Sequence, residues 1–169
     1  FGSKTGTKDP GSFGVSMRDA LQKVNAAGKP FCLMFNIADP HKPFYAQARD
    51  GSTIPDKFVP SRVFTPEEVP VPGFLPDVPV TRKETAHYYS SVRRADDAVK
   101  SILDALNESE YADNTLIVFL SDHGIGLPFS KTQVYHDSTR TPLFFVWPGK
   151  IPAGTEDNQH MISTVDLMP

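Results

Sequence analysis

Residues 115–150 read TLIVFLSDHGIGLPFSKTQVYHDSTRTPLFFVWPGK. An apolar run, Thr115 to Leu120, ends abruptly at Ser121-Asp122-His123-Gly124, so a buried strand delivers an acid and an imidazole to a sheet edge. Open parallel sheets bind ligands at the carboxyl ends of their strands, and a polar group there needs a ligand or a hydrogen-bond partner. Asp122 and His123 are therefore candidate site residues. A loop carrying Lys131, Tyr135, His136, Asp137 and Arg140 follows, then a second apolar run from Leu143 to Trp147.

Upstream, the pattern repeats. Phe31 to Ile37 is a short apolar run with the composition of a strand buried on both faces, and it enters Ala38-Asp39-Pro40-His41-Lys42-Pro43-Phe44. His41 is thus held at the end of a strand between two prolines, which reduce the entropy lost on fixing it. It reads equally as a loop histidine. Cys32, the single cysteine, reads as a small core residue of this strand.

Between these two blocks lies the longest helical period. Thr81-Arg82-Lys83-Glu84 has capping-box spacing, and Tyr88, Val92, Ala95, Val99, Ile102 and Leu106 recur at three- and four-residue intervals, which predicts a helix over 82–107. Arg93, Arg94, Asp96, Asp97 and Lys100 are assigned to its solvated face. A shorter helix is predicted from a cap at Ser16 to a stop at Gly28, after a Gly- and Ser-rich loop over 1–15. Residues 45–80 are a long proline-rich excursion, punctuated by Pro55, Pro60, Pro66, Pro70, Pro72, Pro76 and Pro79, where regular helix or central strand is forbidden. A loop of this length is often a binding lid. A helix between strands fits a crossover, so the expected fold class is α/β, a mostly parallel sheet flanked by helices on both faces.

The 169 residues suit a single domain, since a chain this long buries roughly 70% of its unfolded surface. With 17 basic against 20 acidic residues and a net charge of -3, no basic stripe points to nucleic acid. No run approaches the ~20 apolar residues of a membrane span. The start at Phe1 and the stop at Ser163-Thr164-Val165-Asp166-Leu167-Met168-Pro169, a cap and first turn with no helix after them, read as a piece of a longer protein.

Chemically, Asp122 offers the hard oxygen that Ca²⁺ or Mg²⁺ prefers, and His123 the nitrogen typical of Zn²⁺. Lys131 and Arg140 suit an anionic group, and His41 or His136 a proton transfer. His136-Asp137 reads equally as a substrate-reading or a loop-structuring pair.

In combination, KPFCLMFNIADPHKPF at 29–44, FLPDVPVTRKETAHYYSSVRRADDAV at 74–99, NTLIVFLSDHGIGLPFSKTQVYHDSTRTPLFFVWPGKIP at 114–152 and STVDLMP at 163–169 resemble the sulfatases of the alkaline phosphatase superfamily, most of all their sulfamidase-type glycan sulfatases. The resemblance implies that Asp122 and His123 bind a divalent cation, usually Ca²⁺, that Lys131 contacts the sulfate, and that His41 sits beside it and helps the leaving group depart. It implies a sulfated small molecule or glycan as substrate and a periplasmic, extracellular or lysosomal location; His136 and Arg140, by their chemistry, are the further candidate substrate contacts. The family's formylglycine nucleophile, made in a C/S-x-P-S-R motif, is expected upstream of residue 1. Phe58-Val59-Pro60-Ser61-Arg62 imitates that motif with Phe58 in place of the nucleophile and falls on the wrong side of His41, so it is a decoy. Residues 1–169 are accordingly expected to be the C-terminal portion of a sulfatase catalytic domain, inactive without its remainder. A phosphodiesterase or phosphonate hydrolase of the same superfamily, where SDHG is also frequent, and a non-catalytic anion-binding fragment are the alternatives.

Overall fold

The computed structural model describes residues 8–167. Helix α1 spans Pro10–Ala27 and helix α2 spans Pro79–Asn107. Strand β1 is Ile117–Leu120, the single-turn helix α3 is His136–Thr139, and strand β2 is Leu143–Val146. Short 3-10 turns lie at Ala112–Asn114 and Thr164–Leu167. In the second of these the Ser163 N–H donates to the Asp166 carboxylate at 2.7 Å, so the pair does cap a turn.

Helix α1 begins six residues before the predicted cap. Asp9, extended at φ -95°, accepts from the Gly11 N–H at 3.1 Å, and Pro10 supplies a first helical residue whose missing N–H costs nothing there. Two glycines lower the propensity of residues 10–15, but burial of Phe13, Met17 and Leu21 along one face outweighs them. The stop is as predicted: Gly28, at φ 59°, donates to the carbonyls of Val24 and Asn25 in the left-handed conformation that glycine adopts without penalty.

Helix α2 likewise starts at its proline, not at a capping box. Thr81 lies inside the first turn, where its carbonyl accepts from the Thr85 hydroxyl at 2.7 Å, while Glu84 turns away to pair with Lys42 and Gln47. Its buried face is also rotated from the predicted one. Thr85, Ala86, Ser90, Ser91, Arg94, Ala98, Ala105 and Leu106 are buried, whereas Val92 is exposed. Small residues dominate that face because two layers press on it closely.

The first layer is α1, which meets the C-terminal half of α2 through Met17, Leu21, Ala105 and Leu106. The second is the proline-rich excursion. Its backbone N–H groups cannot form a ladder, so α2 hydroxyls accept them: Tyr45 donates to Ser91 Oγ at 2.6 Å and Phe64 to Ser90 Oγ at 3.0 Å. The Ser61 N–H reaches the Asp97 carboxylate at 2.7 Å, and the ring edges of Phe44 and Phe64 meet Tyr88 and Tyr89. Residues 45–78 are thus a strap bound along α2, and the last proline of the excursion, Pro79, opens that helix. The Phe58-Val59-Pro60-Ser61-Arg62 segment belongs to this strap.

Two strand expectations need correction. Phe31 to Ile37 is extended and alternates, with Phe31, Leu33 and Phe35 packed on the helical core, but it joins no ladder among the described residues. Only one face is covered, so Cys32 and Met34 point outward and Cys32 is exposed, not a core residue. The sheet among the described residues is not parallel: β1 pairs antiparallel with β2, Ile117 opposite Val146 and Leu120 opposite Leu143. The intervening chain holds only the single turn of α3, so no crossover helix lies between the two strands. Val118, Phe119, Phe144 and Val146 are exposed on this ribbon, so two of its phenylalanines lie outside the core.

Candidate functional site

Strand β1 delivers its acid as predicted. The Ser121 N–H prolongs the β1–β2 pairing to the Pro142 carbonyl at 3.4 Å, and the Ser121 hydroxyl donates to the His123 carbonyl at 2.8 Å. Asp122 then stands clear, with 83% of its side chain exposed and the His123 ring beside it. His123 Nδ1 lies 2.8 Å from the Gly124 carbonyl, which has no proton to give, so Nδ1 must donate. The free lone pair is therefore on Nε2, and Nε2 lies 3.5 Å from Asp122 Oδ2. A backbone carbonyl that fixes one ring nitrogen as donor leaves the other as a metal ligand.

The donor set fits a divalent cation in part. An imidazole nitrogen and a carboxylate oxygen at this separation can share one ion, which such donors hold at about 2.0–2.6 Å. No group of three or more His, Cys, Asp or Glu side chains that could hold a metal exists among the described residues. Asp122 and His123 would supply one side of a shell.

The loop beyond them is stitched to α3. The Gly124 N–H donates to the Ser138 carbonyl at 2.8 Å, the Ser130 hydroxyl to the Asp137 carbonyl at 2.7 Å, and the Lys131 N–H to the Ile125 carbonyl at 3.1 Å. Ser130, Ser138 and Leu127 are buried beneath these bonds. Lys131 is brought to the same loop cluster as Asp122 and His123, half-buried, and its ammonium has no hydrogen bond or ion pair among the described residues. Phe129 at φ 63° and Thr132 at φ 72° flank it, conformations that cost about 1–3 kcal/mol each and are held only where the surroundings over-determine them. His136, Asp137 and Arg140 are exposed on and just after α3, and the Arg140 guanidinium is likewise unpaired among the described residues. A half-buried ammonium without a carboxylate partner, as at Lys131, is suited to an anionic ligand.

Gly124 explains the last letter of SDHG. A Cβ built there would lie 1.8 Å from the Asp137 carbonyl oxygen, a backbone atom that cannot swing aside. Gly124→Ala is expected to lower stability by about 1–3 kcal/mol through overpacking and to pull the Asp122 loop off α3. Denaturant unfolding checks it; an unchanged midpoint would show that the two loops are not seated together.

His41 sits apart, on the turn at 38–44, where its N–H donates to the Ala38 carbonyl at 2.8 Å and its Nδ1 to the Lys42 carbonyl at 2.7 Å. Among the described residues no hydrogen bond or ion pair joins this turn to the 121–140 loop. The turn is anchored instead by a buried charge cluster that the sequence pattern did not reveal. Arg94, assigned above to the solvated face, is 1% exposed and grips Asp39 through Nε at 2.6 Å and Nη2 at 3.2 Å. Its Nη1 donates to Asp56 at 2.8 Å and to the Phe58 carbonyl at 2.9 Å, and its guanidinium lies over the Tyr45 ring. The available signal was the small residues Ser90, Ser91 and Ala98 around it, which leave room for a long side chain and its partners.

Comparison with known proteins places this geometry. A family model described as Sulfatase matches residues 10–169. The chain is 30% identical over 153 residues to N-sulphoglucosamine sulphohydrolase of Homo sapiens, covering 83% of this chain and 30% of that protein. It is 28% identical over 156 residues to an endo-4-O-sulfatase of Bacteroides thetaiotaomicron, covering 86% and 29% respectively. Over 99 residues it is 32% identical to an ulvan-active sulfatase of Formosa agariphila, covering 59% and 16%. The chain thus spans less than a third of the length of these relatives.

Proposed function

Because the chain belongs to the sulfatase family, we propose that the intact protein hydrolyses sulfate esters or sulfamates, probed first on sulfated glycans, and that residues 1–169 are the C-terminal portion of its catalytic domain. The family implies an alkaline phosphatase-like α/β fold. Its mostly parallel sheet with helices on both faces would be completed by the remainder of the protein, and the exposed apolar residues of the β1–β2 ribbon and the half-covered 31–37 segment supply surfaces for that. No helix among the described residues is long and apolar enough to cross a membrane. A periplasmic, extracellular or lysosomal location is proposed on the resemblance alone.

The observation that carries this function is the stitched loop after β1. It carries the Asp122 carboxylate, the His123 ring and the unpaired Lys131 on one hydrogen-bonded stretch of loop. Asp122 and His123 would hold a divalent cation, proposed as Ca²⁺, which when bound neutralises charge on sulfate oxygens. Lys131 adds a positive charge to the same oxygens, and His136 and Arg140 contact the rest of the substrate. His41, whose Nδ1 donates to the Lys42 carbonyl, carries a second proton on Nε2 when its ring is an imidazolium, and Nε2 is then free to deliver it. As the sulfur–oxygen or sulfur–nitrogen bond breaks, that proton passes to the departing atom, sparing it a full negative charge. The nucleophile, proposed as formylglycine, belongs outside residues 1–169.

The direct experiment measures inorganic sulfate released by the intact protein from an O-sulfated and an N-sulfated glucosamine, with and without a chelator. Release of sulfate that falls on chelation and returns with Ca²⁺ is expected. Faster hydrolysis of a phosphate diester than of either sulfate would instead assign the protein to phosphoryl chemistry.

A further inference from the structure

The imidazole of His41 makes no hydrogen bond or ion pair to a side chain among the described residues; its direction is set by two bonds to its own turn, Nδ1 to the Lys42 carbonyl and the backbone N–H to the Ala38 carbonyl. Where Nε2 points is therefore decided by the backbone of residues 38–43. Two cations hold that turn. The Lys8 ammonium donates to the His41 carbonyl at 3.1 Å and to the Pro43 carbonyl at 2.6 Å, and pairs with Asp39 Oδ1 at 3.0 Å. Arg94 reaches the same carboxylate from α2 with two parallel bonds, a geometry that fixes orientation as well as distance. Asp39 is 2% exposed in its side chain and lies two residues before His41.

A staple alone does not require this. Burying an arginine and an aspartate is no more stabilising than packing apolar side chains of similar volume, whereas the fixed angles of a guanidinium–carboxylate pair specify one backbone geometry. We propose that Lys8 and Arg94 form a two-cation clamp on Asp39 whose task is to aim His41 Nε2 at the leaving group, making Asp39, Arg94 and Lys8 positioning residues. The clamp rests on the proton-delivering role proposed above for His41. It adds the means by which a histidine on an exposed turn keeps the alignment that proton transfer demands.

A general acid matters when the leaving group is poor and hardly matters when it departs readily as an anion, so the ratio of two substrates reads alignment separately from stability. kcat/KM of the intact protein is to be measured on 4-nitrophenyl sulfate and on an alkyl or sugar sulfate, for wild type, Asp39→Asn, His41→Ala and the double variant. Asp39→Asn is expected to lose about tenfold or more on the alkyl sulfate, within the range of general-acid effects, and little on the aryl sulfate. The double variant should fall no further than His41→Ala on the alkyl sulfate, the non-additivity of residues acting as a unit. If Asp39→Asn does not fold, Lys8→Met removes the partly exposed arm of the clamp and is read by the same ratio. Equal losses on both substrates, or additive losses in the double variant, would overturn the clamp while leaving His41 its role. A His41→Ala variant that treats the two substrates alike would overturn that role, and the clamp with it.

Discussion

Asp122→Ala is expected to lower cation-dependent sulfate release by the intact protein more than about a hundredfold, beyond the 10–100-fold that loss of an outer-shell partner of a metal ligand brings. The side chain is 83% exposed and makes no hydrogen bond within the described residues, so its removal leaves no buried partner stranded. Stability should stay within about 0.5 kcal/mol of wild type, as for surface substitutions away from packed features. This separation makes the variant informative: an effect on turnover without one on unfolding must come from what Asp122 holds, not from what holds Asp122. Calorimetric titration with Ca²⁺ should show the affinity falling in step with turnover. Asp122→Asn, which keeps an oxygen donor but removes the charge, should fall between the two. Full turnover in Asp122→Ala would remove the cation from the 122–123 pair and return those residues to the loop.

Arg94→Ala, unlike Asp122→Ala, should lower stability as well as the alignment of His41. Truncation leaves Asp39 buried with Lys8 as its remaining cation and withdraws the donors of Asp56 and the Phe58 carbonyl, so α2, the His41 turn and the proline-rich strap lose their common anchor. Breaking a buried ion pair from one side costs about 3–5 kcal/mol. Urea unfolding of the intact protein should register it. A midpoint shift worth less than about 1 kcal/mol would mean that the strap is held by its backbone bonds to Ser90 and Ser91 alone.

The same cluster sets a pH dependence. Burial works against ionisation of Asp56, but the bond from Arg94, with those from the Phe58 and Ala46 N–H groups, outweighs it and holds the carboxyl below its ordinary 3.8. A folded-state value below the unfolded one contributes stability that is complete above the unfolded value. That contribution is lost as pH falls from about 3.8 through the folded value. Arg94→Ala should therefore show a shallower loss of stability in that acid window than wild type.

What the sequence determined by itself is what depends on neighbours along the chain. The stop of α1 at Gly28, the length and end of α2, and the break from β1 into Ser121-Asp122-His123-Gly124 follow from periodicity and from glycine and proline chemistry, which act within a turn or two. That the 31–37 segment would run into the His41 turn and β1 into Asp122 was legible for the same reason. The tertiary structure alone decided which face of α2 is buried, because Arg94 belongs inside only once Asp39 and Asp56, far away in sequence, arrive to neutralise it. It decided that β1 and β2 run antiparallel, that Cys32 faces outward from a segment covered on one side, and that Gly124 admits no side chain because the Asp137 carbonyl stands against it. Each depends on a partner brought up by the fold, and a pattern read along one chain carries no record of what will lie beside it.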